Sequence, residues 1–191
     1  MSLLNKLGIQ KIITTERLIL RPMSPSDVND LYEYQSDPET VKYIPWPART
    51  MDQVKEALDK VLKDVKFEDA GDYLNYAWQL KESGKVIGQG NLNYISKEHK
   101  RAEVGWVINP KYVGKGLAVE ATRALINSAF TDHDFRRVIA YIDIENISSI
   151  KLANALNLRQ EASYVEDEWF KGSWTSAYLF AVLKDEWLSK Q

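Results

Sequence analysis

The chain has 191 residues, 45% of them apolar and 27% charged, which suits one sizeable globular domain and is short for two. A net charge of −2 gives no electrostatic footing for nucleic acid or an anionic membrane, and the lack of cysteine removes disulfides, thiolate nucleophiles and cysteine metal sites. With two isolated histidines, His99 and His133, no metal is expected, and the opening MSLLNKLGIQKIITTERL lacks the apolar core of a signal peptide or span. The expectation is a single cytoplasmic domain over residues 1–191.

In chain order, TERLILRPM (Thr15–Met23) reads as a first strand ending near proline. Ser24, Pro25 and Asp27 then supply a cap, a first helical residue and a first-turn acid for a helix reaching Gln35. SDPETVKYI suggests a second short helix capped by Asp37 and stopped by Pro45–Pro47. Thr50 caps a third, MDQVKEALDKVLKDV, in which Val54, Leu58, Val61 and Val65 recur at helical spacing. Two strands follow, joined by a tight turn at Glu82–Lys85, and RAEVGWVIN is another. A helix begins near Lys115. Arg136–Ile144 is apolar at nearly every position, as in a strand covered on both faces, and NISSIKLANAL is a shorter helix. The chain closes as an antiparallel pair turning at Lys171–Gly172. These elements predict a mixed sheet with helices on both sides.

The junction NPKYVGKGLAVEATRAL (residues 109–125) sets two glycines where a strand hands over to a helix. One reading is a turn in which glycine supplies an unusual φ. A nucleotide loop fails on spacing, because neither G-x-x-x-x-G-K-[ST] nor G-x-G-x-x-G fits. The third reading is an anion cradle. Gly114 and Gly116 let a ligand approach the backbone, and the first N–H groups of the helix favour a phosphate. Leu117, Ala121, Ala124 and Leu125 give that helix a narrow face able to lie close on a sheet.

AEVGWVINPKYVGKGLAVEATRAL, followed by VIAYIDIENISSIKLANAL, resembles the GNAT superfamily of acetyl-CoA-dependent N-acetyltransferases. The opening TERLILRPMSPSDVNDLYEY and the ending FAVLKDEW are similar to its ribosomal-protein N-terminal acetyltransferase (RimJ/RimL-type) branch, so the resemblance spans about Thr15 to Trp187. It implies an α/β (α+β) fold with a mostly antiparallel central sheet of about seven strands. It implies acetyl-CoA as cosubstrate and an acyltransferase moving groups other than amino-acyl groups. The family's [QR]-x-x-G-x-[GA] pattern for the coenzyme pyrophosphate falls on Lys111, Gly114 and Gly116, with lysine in place of glutamine or arginine. By the same resemblance Val113, Lys115, Leu117 and Ala118 complete the cradle, although Lys115 can equally face solvent. The later N-x-x-S pattern matches Asn146 and Ser149, and Asn157–Leu158 replaces the usual Gly-Phe after that helix.

The implied reaction is aminolysis of a thioester, and a chain without cysteine points to direct attack by the amine in a ternary complex. The resemblance lays the pantetheine arm along Glu103–Ile108, with a backbone N–H around Val107 facing the developing oxyanion. Ser149 is the candidate general acid and Asn146 the group holding the pantetheine amide. On the residues alone, Asn146 as helix cap and Ser149 as first-turn residue explain the pair better, and it is the resemblance that favours the functional reading. Glu103 is the candidate base, with Gly105 and Val107 on its face of the strand, and Asp143 and Glu145 are rivals.

For the acceptor, Trp46 sits in a loop that flanks the groove in this family, and Glu166–Glu168 offers acidity to a cationic amine. A packing tryptophan and a solvated strand face account for the same residues. The histidines lack a triad or ligand partner nearby in sequence. The leading expectation is acetyl transfer to a primary amine, a protein N-terminus first and a small polyamine or antibiotic amine next. The competing one is a coenzyme A-binding sensor or assembly module without turnover, and a purely structural domain leaves the glycines without a task. Monomer and homodimer are both compatible with the sequence.

Overall fold

A computed structural model describes residues 10–63 and 66–190. Its eight-stranded sheet has the order β1-β2-β3-β4-β5-β6-β8-β7. The strands are β1 (Ile13–Thr14), β2 (Leu18–Pro22), β3 (Tyr73–Leu80), β4 (Val86–Ser96), β5 (Arg101–Ile108), β6 (Arg137–Asp143), β7 (Arg159–Phe170) and β8 (Ser173–Leu183). Every neighbouring pair is antiparallel except β5–β6. The helices are α1 (Val28–Gln35), α2 (Met51–Lys63), α3 (Leu117–Thr131), α4 (Ile147–Ala155) and α5 (Lys184–Leu188). The mixed sheet with helices on both faces is therefore as expected.

Two apolar layers hold it together. On one face Leu117, Ala121, Leu125 and Phe130 of α3 pack with Leu20, Trp78, Leu92 and Val104 of the sheet. On the other, Leu31 and Tyr34 of α1 and Val54 and Leu58 of α2 pack with Ala77, Val86 and Val107. Burying one such leucine or valine contributes roughly 1.5–3 kcal/mol, so the helices are held by their apolar stripes more than by propensity.

Local chemistry sets the element ends. Ser24 and Asp27 form a reciprocal capping box that opens a 3₁₀ turn (Pro25–Asp27) leading into α1. Thr50 and Gln53 bond each other's backbone N–H groups at the start of α2. α4 ends with Asn157 at φ 57° and with the Leu158 and Asn157 N–H groups bonded to the carbonyls of Ala153 and Asn154, the paired geometry that glycine usually supplies.

Three expectations need correction. The first strand starts later than expected, at Leu18, because Thr15 turns the chain through its backbone and hydroxyl bonds to Leu18, and an additional two-residue strand, Ile13–Thr14, precedes that turn and pairs with the later strand. The helix expected after Asp37 is a string of turns: Asp37 caps Glu39 and Thr40, but the bonds of Lys42 and Ile44 reach back only three residues before the prolines intervene. Finally, β6 is covered on one face only; Val138, Ala140 and Ile142 are buried while Tyr141 is 38% exposed, since its other face opens on a cleft. The N-terminal reading for residues 1–9 and the predicted end of α2 at Asp64–Val65 lie outside the described residues.

Candidate active site

The glycine junction is built from backbone. After β5 a 3₁₀ turn (Pro110–Tyr112) leads to Val113–Gly116, all exposed. Gly114 and Gly116 have φ values of 80° and 75°, a region most side chains avoid, and a Cβ at Gly114 would meet nothing within 4 Å. Gly116 is the N-cap of α3, and no side chain caps that helix. Its first N–H groups are thus without a side-chain acceptor. Arg17 braces the loop by donating to the Lys115 carbonyl at 2.8 Å and to Glu120 at 2.7 Å. The side chain of Lys111 is turned to Glu33 of α1, 3.5 Å away, and that of Lys115 lies over the Tyr112 ring. Leu117 is buried in the core and Ala118 is half-buried beside it, so these two offer a ligand their backbone.

The sheet splits next to this loop. β5 and β6 pair only at Arg101–Arg137, Ala102–Val138 and Glu103–Ile139, while β5 stays paired with β4 as far as Ile108. Beyond Glu103 one edge of β5 is therefore unpaired. The Asn109 N–H donates to Ile87 on β4, and the Arg137 N–H to the Lys100 carbonyl on the other side. Two-residue alternation from those bonds turns the backbone groups of Val107 toward β4 and those of Val104, Trp106 and Ile108 into the gap. The gap-facing N–H groups accordingly belong to the neighbours of Val107.

Across the gap stands the start of α4. Asn146 accepts from the Ser149 N–H at 3.1 Å and from the Ser148 hydroxyl at 2.9 Å, so its carbonyl oxygen is the helix cap. Ser149 is half-buried, and its Oγ accepts from the Trp106 indole at 3.1 Å. That bond leaves the hydroxyl proton free to be donated. Trp106 was not legible as a site residue: a partner 43 positions away leaves no local pattern.

The face of the sheet under α1 and α2 opens into a cleft of about 760 Å³. Glu103, Gly105 and Val107 share this face, opposite Asn93, Asn91 and Gln89. Glu103 is the last β5 residue to pair with β6, and burial pushes its carboxyl above the ordinary carboxylate pKa. The Asn91 amide donates to Asn93 at 2.8 Å and lies over Gly105, where a Cβ would come 2.5 Å from its oxygen. These amides repeat at every second position of β4, a polar stripe readable from the sequence as a lined surface. Of the rival acids, Asp143 lines the cleft but accepts the Glu145 N–H, and Glu145 is largely exposed beside Lys42. In the acidic run, Asp167 accepts from the Tyr141 hydroxyl and Glu168 lines the cleft. Among the described residues no group of acids and histidines could hold a metal, and no helix is long and apolar enough to cross a membrane.

Trp46 does flank this cleft, in the loop after α1. The turn of the β7–β8 hairpin reaches over and ties that loop down: Lys171 Nζ donates to the carbonyls of Val41 at 2.7 Å and Trp46 at 2.9 Å. Lys171 and Gly172 both have positive φ, the geometry of a two-residue hairpin turn.

Comparison with known proteins converges on the same picture. The family described as "Acetyltransferase (GNAT) domain" matches residues 17–159. An uncharacterized N-acetyltransferase p20 of Bacillus licheniformis is 36% identical over 174 residues, covering 91% of this chain and 96% of that protein. The spermidine N(1)-acetyltransferase of Escherichia coli (strain K12) is 23% identical over 171 residues, 90% of this chain and 88% of the relative. A GNAT-family acetyltransferase from Bacillus anthracis superposes with a TM-score of 0.83 at 28% identity, covering 92% of this chain and all of its own.

Proposed function

The chain belongs to the GNAT family of N-acetyltransferases, and from that premise we propose that it moves acetyl from acetyl-CoA to a primary amine by direct attack. A protein N-terminus of the ribosomal-protein type is the favoured acceptor and a polyamine, the acceptor named for the E. coli relative, the next. The observation that carries this reading is the splay of β5 from β6, with Glu103 at its apex and Ser149 across its mouth.

Acetyl-CoA, when bound, supplies a thioester acyl group and a thiolate leaving group. The uncapped start of α3 and the loop Val113–Gly116 hold its phosphates through backbone N–H groups, while the Lys111 side chain pairs with Glu33. Gap-facing N–H groups at Trp106 and Ile108 polarise the carbonyl as negative charge develops on its oxygen. Glu103 accepts the proton the amine loses as the C–N bond forms, directly or through one water. The C–S bond breaks as Ser149 passes a proton to sulfur and takes one from water in the same step, with Trp106 fixing the oxygen from behind.

Free-thiol release from acetyl-CoA, measured over pH with a panel of primary amines, tests this. Because burial raises the Glu103 pKa, kcat/KM is expected to fall as pH drops through a value above the ordinary ~4.3 of glutamate. Glu103→Gln is expected to lose that limb together with about a hundredfold of rate. An unchanged profile in the variant would remove Glu103 as the base, and no thiol release with any amine would sink the activity.

A further inference from the structure

Among the described residues, the half-buried arginines Arg21 and Arg137 are matched to carboxylates while Arg49 and Arg101 are not, and of these last two only Arg49 lines the cleft. Arg21 is bidentate to Asp27 at 2.8 and 2.9 Å, Arg17 bonds Glu120, and Arg137 bonds Glu161. Arg49 differs. It is half-buried on the wall of the cleft and, among the described residues, no carboxylate lies within ion-pair distance of it. It is nonetheless firmly placed. Its backbone N–H donates to the Gln35 carbonyl at 2.9 Å, its Nη1 donates to Gln35 Oε1 at 2.7 Å, and its guanidinium lies 4.4 Å from the centre of the Trp46 ring.

The network behind it reaches the reaction centre. Gln35, only 3% exposed, donates through Nε2 to Gln89 Oε1 at 2.8 Å, and the buried Tyr34 hydroxyl donates to the same oxygen at 3.0 Å. Both amides are thereby oriented, so that the Gln35 oxygen must face the guanidinium. Gln89 lies directly opposite Val107, on the strand whose far edge borders the gap. Pro45 and Pro47 fix φ at two positions of the Trp46 loop, which stiffens the segment leading to the cation. Desolvation disfavours its charge, yet a guanidinium stays protonated, and none of the described residues forms an ion pair with it to offset that cost.

We infer that the acceptor is a primary amine that also carries a carboxylate, which Arg49 pairs while the amine is presented to Glu103. This rests on the acetyl-transfer reading and narrows it. The cleft is lined by the carboxylates of Glu56, Glu103, Asp143 and Glu168 and by two cations, the exposed Lys60 and the half-buried Arg49, a mixture of signs that suits a zwitterion. A polyamine would set a second ammonium against Arg49. The carboxylate has two sources, a free amino acid or an acidic side chain beside the N-terminus of a peptide.

The experiment compares thiol release from acetyl-CoA with matched acceptors: the free amino acids against their carboxamides, peptides beginning Ser-Glu or Ser-Asp against Ser-Gln or Ser-Asn, and spermidine. The carboxylate member of a pair is expected to have at least about tenfold higher kcat/KM, as a charge-assisted, desolvated pair implies. Preference within the amino acids marks the first source, and preference within the peptides the second. Arg49→Met is expected to erase the preference, bringing the kcat/KM ratio of carboxylate to neutral members to about one, and Arg49→Lys to keep part of it. Carboxamides or spermidine used as well as or better than carboxylates by the wild-type protein would overturn the inference and leave acetyl transfer standing. Equal losses on every acceptor in a folded Arg49→Met would make the residue a structural brace and overturn it as well. Absence of turnover with all acceptors, while acetyl-CoA still raises the melting midpoint, would overturn the proposed activity and this inference with it.

Discussion

The two ends of the site are made of different materials. At the end proposed to hold the coenzyme the available groups are backbone: the loop Val113–Gly116, the uncapped start of α3 and the unpaired edge of β5. At the acceptor end they are side chains brought in from distant segments, with Gln35 from the end of α1, Arg49 from the loop before α2, Gln89 and Asn91 from β4, and Lys171 from the last hairpin. A backbone site is rigid and tolerates most changes of side chain, but it fails wherever the backbone path is blocked. A side-chain site can be retuned one residue at a time, so the acceptor can differ between relatives that share the fold.

The largest expected effect comes from blocking the backbone end. Gly114→Asp sets a carboxylate in the cradle at an exposed position with no steric neighbour, and aspartate tolerates the left-handed region better than most residues. Acetyl-CoA affinity by calorimetry is expected to fall at least about a hundredfold, through like-charge juxtaposition, with the far-UV spectrum unchanged. Next, Ser149→Ala is expected to lower kcat by about a hundredfold while the coenzyme Kd moves little. Equal losses in both would make the serine a positioning group, as its place in the first turn of α4 also allows.

Smaller effects belong to the acceptor end. Lys171→Met removes two bonds that hold the Trp46 loop against the hairpin, and KM for the amine is expected to rise several-fold with the coenzyme Kd unchanged. The smallest is a matter of stability. A Glu103 carboxyl whose pKa is raised in the folded state stabilises the fold fully below its unfolded pKa, and that contribution is lost as pH rises through the folded value. Glu103→Gln should therefore melt higher than the wild type at neutral pH, and the difference should shrink toward acid. A constant difference across pH would mean that Glu103 is not desolvated.

The same contrast explains what could be read from the sequence. Glycines, caps and strand periods act over a few residues, so the Gly114–Gly116 junction, the α1 and α2 caps and the Lys171–Gly172 turn all stand where expected. The failures were local patterns that tertiary context overrode. Asp37 caps turns that never propagate into a helix, and Tyr141 stays partly exposed because the cleft lies where a covering layer was expected. Arg49 has no sequence signal at all, since what distinguishes it is a half-buried place on the cleft wall without an ion-pair partner among the described residues. Nor does the periodicity of β5 alone reveal that the N–H of Val107 points to β4; the ladder bond of Asn109 to Ile87 fixes that phase.

The account turns on the split between β5 and β6 as the place where the coenzyme lies. Amide hydrogen exchange with and without acetyl-CoA tests it most directly. Slowed exchange is predicted at the gap-facing amides of Trp106 and Ile108 and at the start of α3, with Val107, already bonded across the sheet, changing least. Protection that leaves Trp106 and Ile108 untouched, or that falls on strands away from the gap, would contradict it.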